Sequence, residues 1–557
     1  MANSLINKIL ESVHKNPSKV VMIFMGNDGS EELITGEVWY QEVITTANIL
    51  YENGVRKQDV VLLALPHSRA LLGVFWAAMY LGAIPSIFPY PMSFSKLGNY
   101  PELIQTLVKN SGVKTIATTE KLSNDLKSTN LSSQVIVFEN EISSFSALST
   151  KPLAQPALGA EIAYLQHTSG TTGLQKGVLI SESSIKNFVA SFSQALTLNS
   201  EDVIINWLPL YHDFGLFAGL VMPFVLGIPT IIMSPFKWMR RPKSLFQAID
   251  KYRATIYWTT NFGYHHCVNH VHDKDLNGID LSHLKAVVSG GEPIRHHSQK
   301  LFFDKFAPYG LSLNALVAGY GMAENTLAVS VGYNSTNFVD WIDPQKSQDT
   351  GIASPEAENS SNAIPVVSCG LPLPGVDIAI VNQNHSLLSE RNIGEVIFRS
   401  PFLFSGYHNR PDLTNKVLRD GWFYSGDIGY MANGHLYIFG RKKDLIIVDG
   451  KNIYPEDLEG IAQNTPGIVA GGIVAFAISN YKLSTEQIII ICELQKSVQE
   501  EQRQNIELEI RKEIKQKLGV ILNEIHLVKK GWIVKTNNGK ISRKDNRNKY
   551  QLQLSNT

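Results

Sequence analysis

The most informative segment of the chain is Leu165-Gln-His-Thr-Ser-Gly-Thr-Thr-Gly-Leu-Gln-Lys-Gly-Val178. The apolar residues 162–165 predict the end of a buried strand. In the loop that follows, glycines let backbone N–H groups point inward together, and hydroxyl groups add further donors. Small donors followed by a lysine are typical of an oligophosphate-binding loop, and the candidate residues are Thr168, Ser169, Gly170, Thr171, Thr172, Gly173 and Lys176.

The spacing of this loop excludes the common P-loop. Gly170 and Gly173 stand too close together, and no Gly-Lys-Ser/Thr sequence follows them. A run of Ser, Thr and Gly is also typical of a flexible polar loop that binds nothing. The rest of the chain must therefore decide between these two interpretations.

The composition describes an ordinary globular protein. Its 557 residues are too many for one hydrophobic core and predict two or more domains. With 44% hydrophobic residues and a formal net charge of zero, nothing favours nucleic-acid binding or an acidic tail. The cysteines, Cys267, Cys369 and Cys492, are scattered, which favours a reducing compartment without a disulfide framework. We therefore expect a cytoplasmic protein.

One apolar segment, residues 216–233, could be mistaken for a membrane span. It is interrupted by Pro223, Gly227 and Pro229, so we expect a buried helix followed by a buried strand. The first residues lack a charged segment followed by an apolar run, and no signal peptide is predicted. We expect no stable membrane insertion.

Predicted strands and helices alternate through the first part of the chain. Residues 60–65 and 83–88 are continuous apolar runs on either side of a predicted helix at 70–80. The same rhythm continues through predicted strands at 114–118 and 134–138. Alternation of this kind, with both faces of the strands apolar, is typical of a parallel sheet covered by helices. The predicted fold class is therefore α/β.

The later part of the chain is richer in predicted strands. They lie at residues 376–381, 394–398, 436–439, 469–476 and 487–494. Asn433-Gly434 predicts a hairpin turn, and residues 501–518 predict a charged helix with one apolar face. A change of composition near Lys442-Lys443 predicts a domain boundary. We expect an N-terminal domain of residues 1–442 with a β-rich subdomain at 365–440, and an α+β C-terminal domain of residues 443–557.

Five motifs occur in one order along the chain. They are Thr168-Ser-Gly-Thr-Thr-Gly173, Gly319-Tyr-Gly-Met-Ala-Glu324, Tyr424-Ser-Gly-Asp427, Gly440-Arg-Lys-Lys-Asp444 and Thr536-Asn-Asn-Gly-Lys-Ile-Ser-Arg543. Together they resemble the adenylate-forming superfamily, which comprises acyl-CoA synthetases, peptide-synthetase adenylation domains and luciferases. The resemblance covers nearly the whole chain. It implies ATP- and Mg²⁺-dependent synthesis of an acyl-adenylate, with a small mobile C-terminal domain that turns about a hinge at Lys443.

The resemblance also implies roles for single residues. Lys540 would reach into the site and bridge the α-phosphate and the attacking carboxylate, because developing negative charge needs positioned cations and donors. Glu324 would bind Mg²⁺, and Tyr320 would stack on adenine. Asp427 would accept hydrogen bonds from the ribose hydroxyls, assisted by Arg441. The nucleotide would also contact Gly291, Glu292, Pro293, Gly319, Gly321, Met322, Ala323 and Ile438.

Several segments resemble one branch of this superfamily, the fatty acyl-AMP ligases, which pass their product to an acyl carrier protein rather than to coenzyme A. These segments are Trp207-Leu-Pro-Leu-Tyr-His-Asp-Phe-Gly-Leu216, Phe236-Lys-Trp-Met-Arg-Arg-Pro242 and Asn261-Phe-Gly-Tyr264. The fatty chain would lie near His212, Asn261, Phe262 and Gly319, with His212 as a gate among the catalytic residues. The chain departs from the family's usual pattern at His167, Gln175, Ser425 and Val534.

The separation between Glu324 and Cys369 is longer than CoA ligases need. Residues 334–364 match the position of the insertion that is characteristic of fatty acyl-AMP ligases. Phe338 and Trp341 are expected to pin this insertion to the N-terminal domain. By resemblance, the insertion would restrain the C-terminal domain and disfavour the use of CoA.

Two groups of residues allow other interpretations. Five potential zinc ligands lie close together in the sequence: His265, His266, Cys267, His270 and His272. No carboxylate or cysteine pair nearby completes a zinc site. We expect this helix to lie beside the acyl tunnel instead. Asp213 stands where amino-acid adenylating domains hold the substrate amine. Because Tyr-His-Asp is also the acyl-ligase pattern, we interpret Asp213 as structural.

The sequence therefore predicts a fatty acyl-AMP ligase that uses ATP, Mg²⁺, a fatty acid and a holo acyl carrier protein. The first alternative is a CoA ligase with the same first step, and the second is an enzyme that adenylates amino or aryl acids. A non-catalytic acyl sensor is disfavoured, because Lys540, Glu324 and Asp427 are all present.

Overall fold

A nine-stranded, mainly parallel sheet forms the centre of the computed structural model. The structure describes residues 4–91, 100–127, 129, 131–138, 152–157, 161–167, 176–332, 338–448, 451–480, 485–535 and 540–554. In spatial order the strands of this sheet are Leu371–Pro372, Ala328–Val331, Leu316–Gly321, Ala286–Ser289, Ile256–Thr259, Ile204–Asn206, Thr230–Met233, Val20–Met25 and Glu31–Thr35. Neighbours pair in parallel through the middle and antiparallel at both edges.

A second parallel sheet carries the strands that alternate with helices near the start of the chain. Its strands in spatial order are Ile84–Ile87, Val60–Ala64, Thr115–Thr118 and Gln134–Val137. Continuous apolar runs such as Val60–Ala64 are buried on both faces, because helices cover the sheet. The predicted α/β architecture is confirmed here.

The strand before the predicted phosphate loop belongs to neither large sheet. Ile162–His167 pairs antiparallel with Gly177–Ser181, which follows the loop. The connecting residues 168–175, with six of the predicted phosphate ligands, lie outside the described residues. Both strands are nevertheless fixed by buried side chains, so Lys176 is placed at the start of a well-defined strand.

Helices cover the sheets, and several begin at a residue whose side chain caps the first turn. The Thr260 hydroxyl accepts from the Gly263 N–H (3.2 Å), which fixes the start of the helix Asn261–His270. The α-helices are Leu5–Lys15, Gly36–Glu52, Arg69–Tyr80, Tyr100–Ser111, Glu120–Leu126, Glu182–Leu196, Asp213–Leu216, Met222–Leu226, Pro235–Arg240, Lys243–Tyr252, Asn261–His270, His296–Phe306, Pro344–Thr350, Pro411–Val417, Pro455–Gln463, Arg503–Leu518 and Arg543–Leu554.

The apolar segment 216–233 is a buried helix followed by a strand, as predicted. A π-helical turn, Phe217–Val221, joins the two short α-helices of this segment. Gly227 ends the helix in the left-handed conformation (φ +67°), and the central strand Thr230–Met233 follows. Within the described ranges, no helix combines the length and apolar character needed to cross a bilayer.

The β-rich subdomain is an antiparallel sheet. Its strands are Asp377–Val381, Gly394–Arg399, Leu418–Arg419, Trp422–Ala432 and His435–Arg441. Asn433 (φ +51°) and Gly434 (φ +77°) form the predicted two-residue turn between the last two strands. This hairpin places Asp427 and Arg441 opposite each other in the register.

The described part of the insertion is a small sheet with one helix. Its strands are Val339–Asp343, Ser354–Pro355 and Ile364–Val367. It attaches to the β-rich subdomain through Ile342 and Val366, which pack in one cluster with Tyr430 and Tyr437. Phe338 and Trp341, the expected anchors, each meet a histidine ring of the N-terminal part: the ring centre of Phe338, 46% exposed, lies 4.7 Å from that of His435, and that of Trp341 lies 5.7 Å from that of His296. Their role in pinning the insertion stays a prediction.

The C-terminal part has its own apolar core. Its strands are Ile446–Val448, Lys451–Ile453, Ile468–Asn480, Thr485–Leu494 and Glu524–Lys529. The predicted apolar face of the helix Arg503–Leu518 is buried on this sheet, with Ile510 and Ile514 fully enclosed. The insertion helix Pro344–Thr350 contacts that helix and comes closest at Gly519, where an added Cβ would lie 2.1 Å from Gln345 Oε1.

Candidate active site

A cavity of about 940 Å³ opens where three central strands end. Ile256–Thr259, Ala286–Ser289 and Leu316–Gly321 are parallel neighbours, so their carboxyl ends meet at one edge of the sheet. The turns that follow these strands supply much of the cavity wall. The remainder comes from the hairpin at 422–441 and from the C-terminal part of the chain.

Every predicted site residue that the structure describes lines this one cavity. They are Lys176, His212, Asn261, Phe262, Gly291, Glu292, Pro293, Gly319, Tyr320, Gly321, Met322, Ala323, Glu324, Asp427, Ile438, Arg441, Lys443 and Lys540. The roles assigned to them stay predictions. The residues Thr168, Ser169, Gly170, Thr171, Thr172 and Gly173 lie outside the described part of the chain.

Lys540 enters the cavity and faces a His–Asp pair. Its Nζ lies 3.5 Å from Nε2 of His212, whose Nδ1 lies 2.5 Å from Oδ1 of Asp213. The Phe214 N–H also points at Nδ1 from 3.2 Å, so the tautomer of His212 depends on which of these two neighbours Nδ1 serves; a proton on Nδ1 would leave the Nε2 lone pair facing the lysine. Burial opposes the charge on Asp213, but His212, Lys540 and the Phe214 N–H together hold the pKa of that carboxyl below its ordinary value.

The position of Lys540 inside the cavity affects the pKa of its ammonium group. Burial lowers the pKa of its ammonium group, and the nearby carboxylates Asp213 and Glu292 oppose that effect. The group also lies beside the Gly291 turn, where an added Cβ would be 3.5 Å from Nζ. A cation at this place faces whatever anion occupies the cavity.

Asp427 is held at the floor of the cavity by two neighbours. The Tyr320 hydroxyl donates to its Oδ2 (2.6 Å), and Arg441 Nε lies 3.1 Å from its Oδ1. Asp427 is 5% exposed, and burial next to this carboxylate raises the pKa of Tyr320 well above its ordinary value. Each carboxylate oxygen retains a second acceptor site, which suits a pair of hydroxyl donors.

Glu324 has a partner that the sequence analysis missed. The Tyr407 hydroxyl donates to Glu324 Oε1 (2.6 Å), and Lys176 Nζ lies 4.5 Å from the centre of the Tyr407 ring. Tyr407 follows Gly406 in a polar turn, and no local pattern marks it as part of the site. Its position becomes visible only when residues 83 positions apart are brought together.

Comparison with known proteins places the chain in a family. The model of the AMP-binding enzyme family matches residues 9–408. The chain belongs to this family. The resemblance that the five motifs predict is thereby confirmed, and so is the expectation of an enzyme.

Two relatives match this AMP-binding enzyme over nearly its whole length. The long-chain-fatty-acid–AMP ligase FadD26 of Mycobacterium marinum is 29% identical over 576 residues, which is 97% of this chain and 96% of that protein. The medium-chain-fatty-acid–[acyl-carrier-protein] ligase JamA of Moorena producens is 29% identical over 571 residues, covering 98% and 95%. A solved structure from a study of fatty acyl-adenylate ligases of E. coli and L. pneumophila superposes with a TM-score of 0.88 at 28% identity, covering 100% of this chain and 99% of that one.

Asn261 of this AMP-binding enzyme organises the turn beside it. Its Nδ2 donates to the Pro293 carbonyl (2.8 Å), and its Oδ1 accepts from the Arg295 N–H (3.2 Å). The Asn261 N–H in turn donates to Glu292 Oε1 at 2.8 Å. The predicted substrate residue therefore shapes the cavity wall through a side-chain amide that already has protein partners at both ends.

Part of the cavity wall in this AMP-binding enzyme is apolar. The apolar residues that line the cavity include Phe192, Phe214, Trp258, Leu327 and Val331. Trp258 packs against both phenylalanines, with ring centres 6.1 and 5.7 Å away. An apolar wall of this kind suits a hydrocarbon chain.

The histidine-rich helix shows contacts other than metal ligation. His265 Nε2 lies 2.9 Å from Ser298 Oγ, and His266 Nε2 lies 3.0 Å from the Met239 carbonyl. Burial lowers the pKa of both imidazoles to about 4, so they are neutral near pH 7. His265 and Phe262 both line the cavity, and the place of this helix beside an acyl tunnel stays a prediction. Among the described residues, no group of His, Cys, Asp and Glu has the arrangement of a metal site.

Proposed function

We propose that this AMP-binding enzyme activates a fatty acid as its acyl-adenylate and transfers the acyl group to the phosphopantetheine thiol of an acyl carrier protein. The observation that carries the proposal is the position of Lys540. A lysine from the end of the chain lies in the same cavity as Asp427 and Glu324, and its Nζ faces His212 Nε2 at 3.5 Å. This arrangement of charged groups suits a reaction between two anions, a carboxylate and ATP.

The first step joins a carboxylate to a nucleotide. A carboxylate oxygen attacks the α-phosphorus of ATP, a new P–O bond forms, and pyrophosphate leaves with the electrons of the broken bond. Both reactants are negatively charged, so a fixed cation between them lowers the barrier. Lys540 supplies that cation, and His212 Nε2 lies 3.5 Å from its ammonium group.

The residues around Glu324 suit a magnesium ion. Mg²⁺ prefers one or two carboxylates together with phosphate oxygens, rather than a cage of protein ligands. The Tyr407 hydroxyl fixes one oxygen of Glu324, which leaves the other for a cation. Bound there, Mg²⁺ would neutralise charge on the phosphates, and Lys176 lies close enough to add a second positive charge.

The environment of Asp213 argues against an amino-acid substrate. Its Oδ1 is already engaged by His212 Nδ1 (2.5 Å) and by the Phe214 N–H (2.7 Å). A substrate amine could use only the remaining oxygen, Oδ2, of a carboxylate whose charge is already partnered by His212 and Lys540. The apolar wall with Trp258 favours a hydrocarbon chain instead. The names of both near-full-length relatives support the same substrate class.

The second step replaces AMP by a thiol. The sulfur attacks the acyl carbonyl carbon, a C–S bond forms, the C–O bond to AMP breaks, and the thiol proton is released. A carrier protein rather than CoA as acceptor is supported by JamA, which is named an acyl-carrier-protein ligase. The contact between the insertion helix Pro344–Thr350 and the C-terminal part supports a restrained domain position.

The test is a comparison of acids and acceptors. Pyrophosphate release is measured with ATP, Mg²⁺ and, in turn, dodecanoic acid, benzoic acid and phenylalanine. Acids that react are then offered CoA and a holo acyl carrier protein in parallel. We expect release with dodecanoic acid only, and acyl transfer to the carrier protein but not to CoA.

Each other outcome has a definite meaning. Efficient dodecanoyl-CoA formation would contradict the carrier-protein acceptor and leave the adenylation step intact. Release with phenylalanine alone would contradict a fatty acid as the substrate and would make Asp213 the candidate partner of the amine. Failure to release pyrophosphate with any acid would contradict the proposed function as a whole.

A further inference from the structure

Arg295 joins the nucleotide side of the cavity to the C-terminal part of the chain. Its backbone N–H donates to Asn261 Oδ1 (3.2 Å), which ties it to the N-terminal part. Its guanidinium reaches the helix Pro455–Gln463, where Nη2 donates to Glu459 Oε2 (3.1 Å) and Nη1 donates to the Glu456 carbonyl (3.2 Å). A single side chain thus makes two directed contacts across the cleft.

Glu459 is shared between Arg295 and the segment that carries the catalytic lysine. It is only 4% exposed, and its two oxygens accept from Arg543 Nη2 at 2.9 and 3.0 Å. Arg543 follows Lys540 by three residues and also lies 3.6 Å from Asp444, next to the predicted hinge. One buried carboxylate therefore connects Arg295 with the Lys540 segment and with the hinge region.

Removal of Arg295 would leave the other charged groups of this network with partners. Breaking a buried ion pair is costly mainly because it leaves a charge without a partner. If Arg295 is removed, Glu459 keeps Arg543 and its hydrogen bond from the Ala475 N–H (3.0 Å). The C-terminal part thus keeps its own network and loses only its bond to the cavity wall.

We propose that Arg295 is a positioning residue for adenylation, because it holds the Lys540 segment in the cavity through Glu459 and Arg543. This inference rests on the proposed function for its kinetic consequence. Glu459, Arg543 and Asp444 all belong to the C-terminal part, so they move together if that part turns. The Arg295–Glu459 contact and the entry of Lys540 into the cavity occur together in this structure.

The test compares three variants of the full-length enzyme. Arg295→Met removes the charge at similar length, and Arg295→Lys keeps the charge without the two-pronged geometry. Lys300→Met is the matched control, because Lys300 lies on the helix His296–Phe306 and its pair with Asp304 is exposed at 60% and 51%. Two quantities are measured: pyrophosphate release with dodecanoic acid, and the rate at which an N-hydroxysuccinimide ester acetylates Lys540 without substrate.

We expect Arg295→Met to lower kcat for pyrophosphate release on the order of tenfold, with KM for ATP unchanged. Acetylation of Lys540 should become several-fold faster, since the amine spends more time outside the cavity. Arg295→Lys should show a smaller change in the same direction in both assays. Lys300→Met should behave as the wild type.

Two results would overturn the inference. One is unchanged acetylation of Lys540 in Arg295→Met, and the other is a rise in KM for ATP alone, which would make Arg295 a substrate contact. If Arg295→Met does not fold, Arg295→Lys decides, because wild-type behaviour in both assays contradicts the proposal. The acetylation assay needs no substrate, so a wild type that activates no acid contradicts only the proposed function.

Discussion

The Nζ atom of Lys540 lies 3.5 Å from Nε2 of His212, although 328 positions separate the two residues in the chain. Asp213 completes the arrangement from the far side of the imidazole. The C-terminal lysine therefore meets a histidine whose ring is already oriented by two contacts within the N-terminal part. This contact places the Lys540 amine inside the cavity.

Replacing Lys540 by Met should abolish adenylation without unfolding the protein. A single preorganised charge donor of this kind contributes about a hundredfold to a thousandfold in rate. We expect pyrophosphate release with dodecanoic acid to fall by that factor, while binding of ATP weakens less. Lys530→Met, which removes an exposed lysine of the same part, is the control and should keep full activity. Comparable losses in both variants would contradict the role of Lys540.

Replacing Asp213 by Asn should reduce adenylation by about tenfold to a hundredfold, as expected for a group that orients a functional histidine. Its effect on stability should depend on pH. The pKa of Asp213 is lowered in the folded state, so the carboxylate contributes stability above its ordinary pKa and loses it as pH falls through the lower folded value.

Urea unfolding of Asp213→Asn at several pH values checks this sign. The variant should be less stable than the wild type near pH 7, and the difference should narrow below about pH 4. Asp304→Asn, which alters an exposed carboxylate paired with Lys300, is the control. A stability difference that is constant from pH 7 to pH 3 would show that the charge of Asp213 is irrelevant.

Replacing Tyr407 by Phe should weaken the use of Mg²⁺. The variant removes the hydroxyl that holds Glu324 Oε1 at 2.6 Å and leaves the ring under Lys176 in place. Loss of a group that orients a metal ligand typically costs about tenfold or more in metal affinity. We expect the Mg²⁺ concentration for half-maximal pyrophosphate release to rise by about that factor, with KM for the fatty acid unchanged.

Tyr252→Phe provides the control for that experiment, since it removes a similar hydrogen bond to Glu31 (2.6 Å) far from the cavity. It should leave the Mg²⁺ dependence unchanged. An equal Mg²⁺ requirement in Tyr407→Phe and the wild type would contradict the assignment of Glu324 as the ligand.

Replacing Asp457 by Asn should stabilise the protein in alkaline solution. Burial, together with the neighbouring Glu456, raises the pKa of Asp457 to about 7. The folded state therefore binds the proton more tightly than the unfolded chain, and wild-type stability falls as pH rises toward and through 7. Urea unfolding should show Asp457→Asn to be the more stable protein at pH 8, with little difference at pH 4. The opposite sign at pH 8 would contradict the raised pKa.

The elements of the fold that sequence could predict are those decided by local chemistry. Continuous apolar runs such as Val60–Ala64 gave central strands, because only covered sheets accommodate them. The prolines and glycine in residues 216–233 correctly indicated a helix that ends before a strand. Asn433-Gly434 formed the predicted turn, since both residues tolerate positive φ.

Local sequence patterns could not predict contacts between residues that are far apart in the chain. Tyr407 and Glu324 lie 83 positions apart, and Arg295 and Glu459 lie 164 apart. The sequence around each of these residues would look the same if they never met. The burial of Ile342 against Tyr430 was missed for a related reason, because it depends on a partner from a distant part of the chain.

The close approach of Gln345 to Gly519 has a consequence for the reaction cycle. The Gln345 Oε1 atom and both amide atoms of the nearby Gln348 side chain are buried, without hydrogen-bond partners among the described residues. If the C-terminal part turns during the reaction, water could reach Gln345 Oε1, and that hydration would offset part of the packing lost. The insertion would then restrain the C-terminal part without fixing it, as is needed by an enzyme that first closes its cleft and then admits a second reactant.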